Sequence, residues 1–117
     1  MSIQWKVICN VADIPVLGAR VVHREVQPNI AIFRNSEDKV FALLDRCPHK
    51  GGPLSQGIVF GERVACPLHN WNIDLQSGCA DAPDEGCAQK FNLKIEEGQV
   101  YLDLAELNAI ADEIKAA

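Results

Sequence analysis

Two short stretches hold the side chains best suited to chemistry in this chain: Cys47-Pro48-His49 and Cys66-Pro67-Leu68-His69. Each sets one thiol and one imidazole around residues that turn the backbone. Thiolate and imidazole are ligands that transition metals take from proteins. A structural zinc site more often pairs Cys with Cys and His with His. One Cys and one His on each of two loops suits a site with two different ions, one holding both thiolates and the other both imidazoles. A single tetrahedral zinc on the same four side chains is the competing reading, and spacing alone leaves it open.

For a two-iron, two-sulfide centre the mixed ligands have an electronic meaning. Neutral imidazoles in place of two thiolates lower the ligand charge, so an added electron is better tolerated. Such centres lie at about −150 to +300 mV, against about −400 mV for plant-type all-Cys clusters. The second ring nitrogen of each imidazole can lose or share a proton, which couples potential to pH. Pro48 and Pro67 fix φ directly after each Cys. Gly51, Gly52 and Pro53 let the first loop close over a metal with little bulk, its N–H groups free to face sulfur.

The 117 residues make one domain with a modest core, and 48 % hydrophobic with 23 % charged residues is ordinary for a globular protein. A net charge of −5 argues against nucleic acid, which demands clustered Lys and Arg. It fits a carrier that docks on a basic protein face, with steering that weakens in salt. No apolar run approaches the roughly 20 residues of a membrane span. The first residues lack the pattern of a signal peptide, so a cytoplasmic location is expected. Five cysteines are an odd count. Outside the two pairs, Cys9, Cys79 and Cys87 are expected as free thiols; a bridge from Cys79 to Cys87 is permitted but not demanded.

The elements that must position these loops read as short strands. Segments 4–10, 19–23, 30–34, 40–45, 58–60, 63–66, 71–75, 91–95 and 100–102 carry apolar or alternating patterns between turn signals. In the first, Trp5, Val7 and Cys9 share one face. Asp13 to Gly18, residues 35–38, Gly61-Glu62, residues 76–78 and Glu97-Gly98 mark the turns. This spacing predicts an all-β sandwich or barrel. At the end the period changes: Leu104, Leu107, Ile110, Ala111 and Ile114 predict a helix over 104–115 that packs its stripe on the sheet. Asp103 with Glu106 reads as its capping box.

The motif Cys47-x-His49 with Cys66-x-x-His69, inside CPHKGGPLSQG and ACPLHNW, resembles the cluster loops of Rieske proteins, and the likeness runs from Trp5 to Tyr101. The resemblance implies one 2Fe–2S cluster per chain, with Cys47 and Cys66 on one iron and His49 and His69 on the other. It implies a Rieske-like β-sandwich or barrel as a single domain over 1–117, with a cluster-binding subdomain inserted at about 46–73. Pro83 falls where the family's third loop covers the cluster. High-potential respiratory members carry a disulfide at positions matching Gly52 and Leu68, and Ser and Tyr where this chain has Trp71 and Ile73. The departures imply fewer hydrogen bonds to sulfur and a potential low in the range.

Segments 31–35, 52–59, Asn70-Trp71 and 84–87 resemble the small subunit of assimilatory NAD(P)H-dependent nitrite reductases. That likeness implies an electron carrier working with a large subunit that holds FAD, a 4Fe–4S cluster and sirohaem and reduces nitrite to ammonium. The alternative is a ferredoxin taking electrons from a ferredoxin reductase to an aromatic-ring dioxygenase. Those ferredoxins typically have Gly where this chain has Asn70. A zinc-stapled or purely structural interaction subunit is the third reading, weakened by the presence of all four ligands. His23 is expected as a surface or satisfied histidine, and Cys87 as packing. Asp81, Asp84 and Glu85 read as a solvated loop that could join a docking face. No Ser/His/Asp set and no phosphate-cradling loop is present, so no catalytic residue is expected in this chain.

Overall fold

The computed structural model describes residues 4–23, 29–47, 52–67, 71–82 and 85–107. Its strands are β1 (Trp5–Asn10), β2 (Gly18–Val22), β3 (Ile30–Arg34), β4 (Val40–Leu44), β5 (Ile58–Phe60), β6 (Arg63–Ala65), β7 (Asn72–Asp74), β8 (Leu93–Glu96) and β9 (Gln99–Asp103). They form three antiparallel sheets, ordered β1-β9-β8, β2-β3-β4 and β5-β6-β7. The architecture is all-β, as the spacing of the strands predicts.

The β3–β4 hairpin decides where the cores sit. Its sequences, IAIFR and VFALL, are apolar without alternation, the pattern of a strand covered on both faces. Register puts Ala31 opposite Leu43 and Phe33 opposite Phe41 on one face, and Ile30 opposite Leu44 and Ile32 opposite Ala42 on the other. The first face joins Val59, Val64 and Ile73 of the β5-β6-β7 sheet in one buried cluster, together with Cys47, Leu54, Cys66, Leu75 and Ala88. The second joins Cys9, Ile14, Phe91, Val100 and Leu102 against the β1-β9-β8 sheet. Two cores share one wall.

Several details depart from the expected pattern. In β1 the register slips between Val7 and Cys9, so a bulge turns Ile8 and Cys9 toward the second core and leaves Val7 49 % exposed. Alternation alone places Val7 and Cys9 on one face. The strand expected from residue 91 begins at Leu93, because the Phe91 N–H bonds the Ala42 carbonyl of β4 instead. The β8–β9 turn is as expected: Glu97 and Gly98 both have positive φ, 52° and 77°, the two-residue turn that matches strand twist. At the C-terminal end, α1 (Leu104–Leu107) starts where predicted, and Leu104 packs on the second core. Residues 108–115 of the expected helix lie outside the described residues. Asp103 accepts the Ala105 N–H (2.9 Å), but the Glu106 carboxylate turns to the Asn92 N–H (2.7 Å). Burial pushes the Glu106 carboxyl above its usual range, and the Asn92 N–H partly offsets this.

Two turns clamp the β5-β6-β7 sheet to the rest. Asn35, 1 % exposed, accepts the N–H groups of Glu37 (3.0 Å) and Lys39 (2.9 Å) and donates to the Gly61 carbonyl (3.0 Å). Lys39 meets Glu62 at 2.8 Å beside it. Replacing Asn35 by Ala removes three part-buried hydrogen bonds. Asn35→Ala is expected to destabilise the protein by about 1–2 kcal/mol, read as a lower denaturation midpoint.

Candidate metal centre

Cys47 follows β4 by a short bend, in which Arg46 N–H bonds the Leu44 carbonyl at 2.7 Å. Cys66 follows β6 directly. Both are buried, at 2 % and 0 % exposure, both are unbridged, and both belong to the same core cluster. The two loops close alike. Cys47 donates its N–H to the Gly52 carbonyl (2.7 Å), and Cys66 donates to the Trp71 carbonyl (2.8 Å), each five residues ahead. Matching closures at the roots of two loops bring two thiols to one apolar region.

Each loop is also held on its return limb. Asp45 accepts the Ser55 N–H (2.7 Å) and hydroxyl (2.8 Å), which ties the end of β4 to the 3-10 turn Leu54–Gln56. Leu54 is fully buried in the thiol-bearing core. Gly57 then passes so close to β6 that a Cβ there would collide with the Ala65 carbonyl and the Val64 side chain. On the second loop, Trp71 packs partly buried against the same core, and Ile73 beyond it is fully buried. Gly52 is buried, consistent with its carbonyl closing the first loop.

His49 and His69 lie outside the described residues, as do Leu68, Asn70, Pro83 and Asp84. Among the described residues no group of three or more His, Cys, Asp and Glu side chains gathers as a metal site. The fit to a metal centre therefore rests on the thiols. Two unbridged thiols enclosed in one core, each heading a loop whose next ligand-type residue is histidine, suit a centre with two thiolate and two imidazole ligands.

The other candidates separate from this site. His23 is exposed, its Nδ1 3.2 Å from the Asn29 amide, as expected of a surface histidine. Cys9 is a free thiol in the opposite core, and burial pushes it above the usual thiol range. Cys79 and Cys87 are not free: they form a disulfide, correcting the expectation of separate thiols. They meet because antiparallel pairing places them directly opposite each other, a contact that residues eight apart do not reveal in sequence. Asp81 is not simply solvated. It binds Arg63 at 2.6 Å, raising that guanidinium further, and Asp74 stands 4.0 Å from the same group. Glu85 is exposed. The sequence does not mark Asp45, Ser55 and Asn35 as positioning residues. The one signal is that Asp45 ends a predicted strand just before the first Cys, where a carboxylate can cap a turn.

Comparison with known proteins agrees with this geometry. Residues 4–92 match the family described as the Rieske [2Fe-2S] domain. Ferredoxin CarAc of Metapseudomonas resinovorans is 28 % identical over 99 residues, covering 84 % of this chain and 92 % of the ferredoxin. A chain in the complex of reduced oxygenase and oxidised ferredoxin of carbazole 1,9a-dioxygenase superimposes with a TM-score of 0.75 at 26 % identity, covering 85 % of this chain and 92 % of that one. A protein provisionally described as a nitrite reductase NADPH (small subunit) oxidoreductase superimposes with a TM-score of 0.73 at 26 % identity, covering 85 % and 97 %. Other curated relatives are far longer, and the chain spans only 14 % to 22 % of their length.

A domain of three small antiparallel sheets with two thiols set in one core by matching loops is an iron–sulfur electron-transfer fold, and this chain belongs to the Rieske [2Fe-2S] domain family. It is a Rieske electron carrier, and the domain binds a 2Fe–2S cluster. No helix among the described residues is long and apolar enough to cross a membrane.

Because burial encloses the Cys9 thiol and pushes it above the usual thiol range, it is expected to resist alkylation in the folded protein. Iodoacetamide with mass spectrometry should label Cys9 only after unfolding or at strongly alkaline pH.

Proposed function

We propose that Cys47 and Cys66 hold one iron of the cluster and His49 and His69 the other, on a cluster-binding unit of about residues 46–73 within a single domain over 1–117. The observation that carries this is the pair of buried, unbridged thiols in one core, each at the root of a loop closed by its own N–H. When bound, the 2Fe–2S centre supplies a resting place for one electron. The chain's part is to hold it and to keep water from the thiolate side, where Leu54, Val59, Val64, Ile73 and Leu75 are almost wholly buried. Asp45 and Ser55 hold the first loop's return limb, so the ligand ahead of it keeps its place.

The chain is read as the small subunit of an NAD(P)H-dependent nitrite reductase, passing single electrons within an assembly whose large subunit carries flavin, a 4Fe–4S cluster and sirohaem. Residues 31–35, 52–59, Asn70-Trp71 and 84–87 support this, as does likeness to the provisionally described nitrite reductase small subunit. A nicotinamide-driven nitrate-assimilation role carries with it a cytoplasmic location. The second reading is a ferredoxin serving an oxygenase, favoured by the near full-length match to ferredoxin CarAc.

Protein prepared without oxygen is expected to contain iron and acid-labile sulfide, to absorb in the visible, and to lose that absorption in Cys66→Ser. A colourless protein with one tetrahedral zinc would reverse the assignment. The midpoint is expected in the lower part of the Rieske range, below about +150 mV, as protein-film voltammetry would read it. For the partner, adding the holoprotein to a flavin- and sirohaem-containing large subunit is expected to restore nitrite-dependent oxidation of nicotinamide. Restored turnover of a ring-hydroxylating oxygenase instead would favour the second reading.

A further inference from the structure

Cys79 and Cys87 lie on a ribbon that extends the β5-β6-β7 sheet beyond β7. Cys79 accepts the Asp74 N–H (2.9 Å), and the Asp81 N–H donates to Asn72 (2.8 Å), so residues 79–81 run along β7. On their other side, Ala80 N–H bonds Gly86 (2.8 Å) and Ala88 N–H bonds Gly78 (2.7 Å). Those two bonds bracket Cys79 and Cys87, which face each other as a non-hydrogen-bonded antiparallel pair, the kind that brings side chains closest. Their sulfurs are joined, with Cα atoms 3.9 Å apart. Gly78, at φ 81°, is required here because a Cβ would collide with the Ala88 carbonyl.

The bond is open to solvent from one side, since Cys87 is exposed and Cys79 half-buried. Exposed disulfides are the ones that exchange with thiols. Backbone hydrogen bonds hold the ribbon on both edges, so opening the bond loosens Ala80, Asp81 and Gly86 without dissolving the sheet. Asp81 lies at the end of β7 nearest the second cluster loop: it bonds Asn72, which pairs with Ala65, and the neighbouring Trp71 carbonyl takes the Cys66 N–H.

We propose that this disulfide is a second redox site, a dithiol-reducible lock that sets how firmly the paired limbs 79–81 and 86–88, and through β7 the root of the Cys66 loop, are held. A thiolate of the reductant attacks Cys87 Sγ, the sulfur–sulfur bond breaks, and Cys79 leaves as a thiolate that takes up a proton. The reductant's second thiol then attacks its own sulfur in the mixed disulfide and releases Cys87, which is protonated in turn. Two electrons and two protons pass to the protein, and the reductant becomes a disulfide. The proposal does not depend on the redox partner.

The test uses the holoprotein under anaerobic conditions, stepped through ratios of reduced to oxidised dithiothreitol, with native alkylation, mass spectrometry and amide hydrogen exchange. Cys79 and Cys87 are expected to become alkylated together while Cys9 stays unlabelled. Exchange at Asp74, Ala80 and Ala88 should rise by about tenfold or more, with a smaller rise at Cys66. The double variant C79S/C87S is expected to reproduce that pattern without reductant. The proposal is overturned if the bond opens only on unfolding, if both thiols are already free in air-handled protein, or if exchange at Ala80 and Ala88 stays unchanged after reduction. The reduction series on the unmodified protein decides the matter even where the double variant does not fold.

Discussion

The β3–β4 hairpin is covered on both faces, and the rest of the molecule is built against that fact. Every residue from Ile30 to Phe33 is fully buried, two toward each core. Complete burial of an aliphatic or aromatic side chain stabilises by roughly 1.5–3 kcal/mol, an upper range for a chain whose unfolded state is partly collapsed. A one-residue slip in this ladder would exchange the side chains facing the two cores, setting Phe33 where Ile32 belongs. Register is therefore strongly specified here. Because Cys47 follows β4 after only two residues, the first loop inherits that position.

The second loop has no such direct support, and the small β5-β6-β7 sheet obtains it at its two ends. At one end Asn35 and Lys39 hold the Gly61-Glu62 turn, and the Leu75 N–H adds a bond to the Glu62 carbonyl at 2.8 Å. At the other, Gly57 admits β6 at backbone distance, and the Leu54–Gln56 turn rests against β2 and β3. Strands of three residues are too short to be stable alone. Their stability comes from Val59, Val64 and Ile73 entering the core that also holds the two thiols. The exposed ion pairs add little: Lys39 with Glu62 and Arg63 with Asp81 are solvent-screened and serve mainly to orient turns.

Much of this was legible in the sequence because its cause is local. The unbroken apolar runs of β3 and β4, the Glu97-Gly98 turn and the two Cys/His pairs each identify themselves within a few residues. What escaped has a cause elsewhere in the chain. The bulge at Ile8 exists because Val7 and Cys9 pair with the adjacent residues Tyr101 and Val100. The Cys79 to Cys87 bond follows from a ribbon register that only the β7 edge establishes. Asn35 is recognisable as a turn residue, but its bond to Gly61 spans 26 positions and leaves no trace in either segment. Asp45 and Ser55 are ten apart and read separately as ordinary polar residues.

The pairing of β1 with β9 has a consequence for how such a unit travels between proteins. Trp5 lies opposite Asp103, so the first and last strands leave the same sheet side by side. A body whose entry and exit points adjoin can be spliced into a longer polypeptide with little distortion on either side. Portability is a property of this edge, independent of the metal.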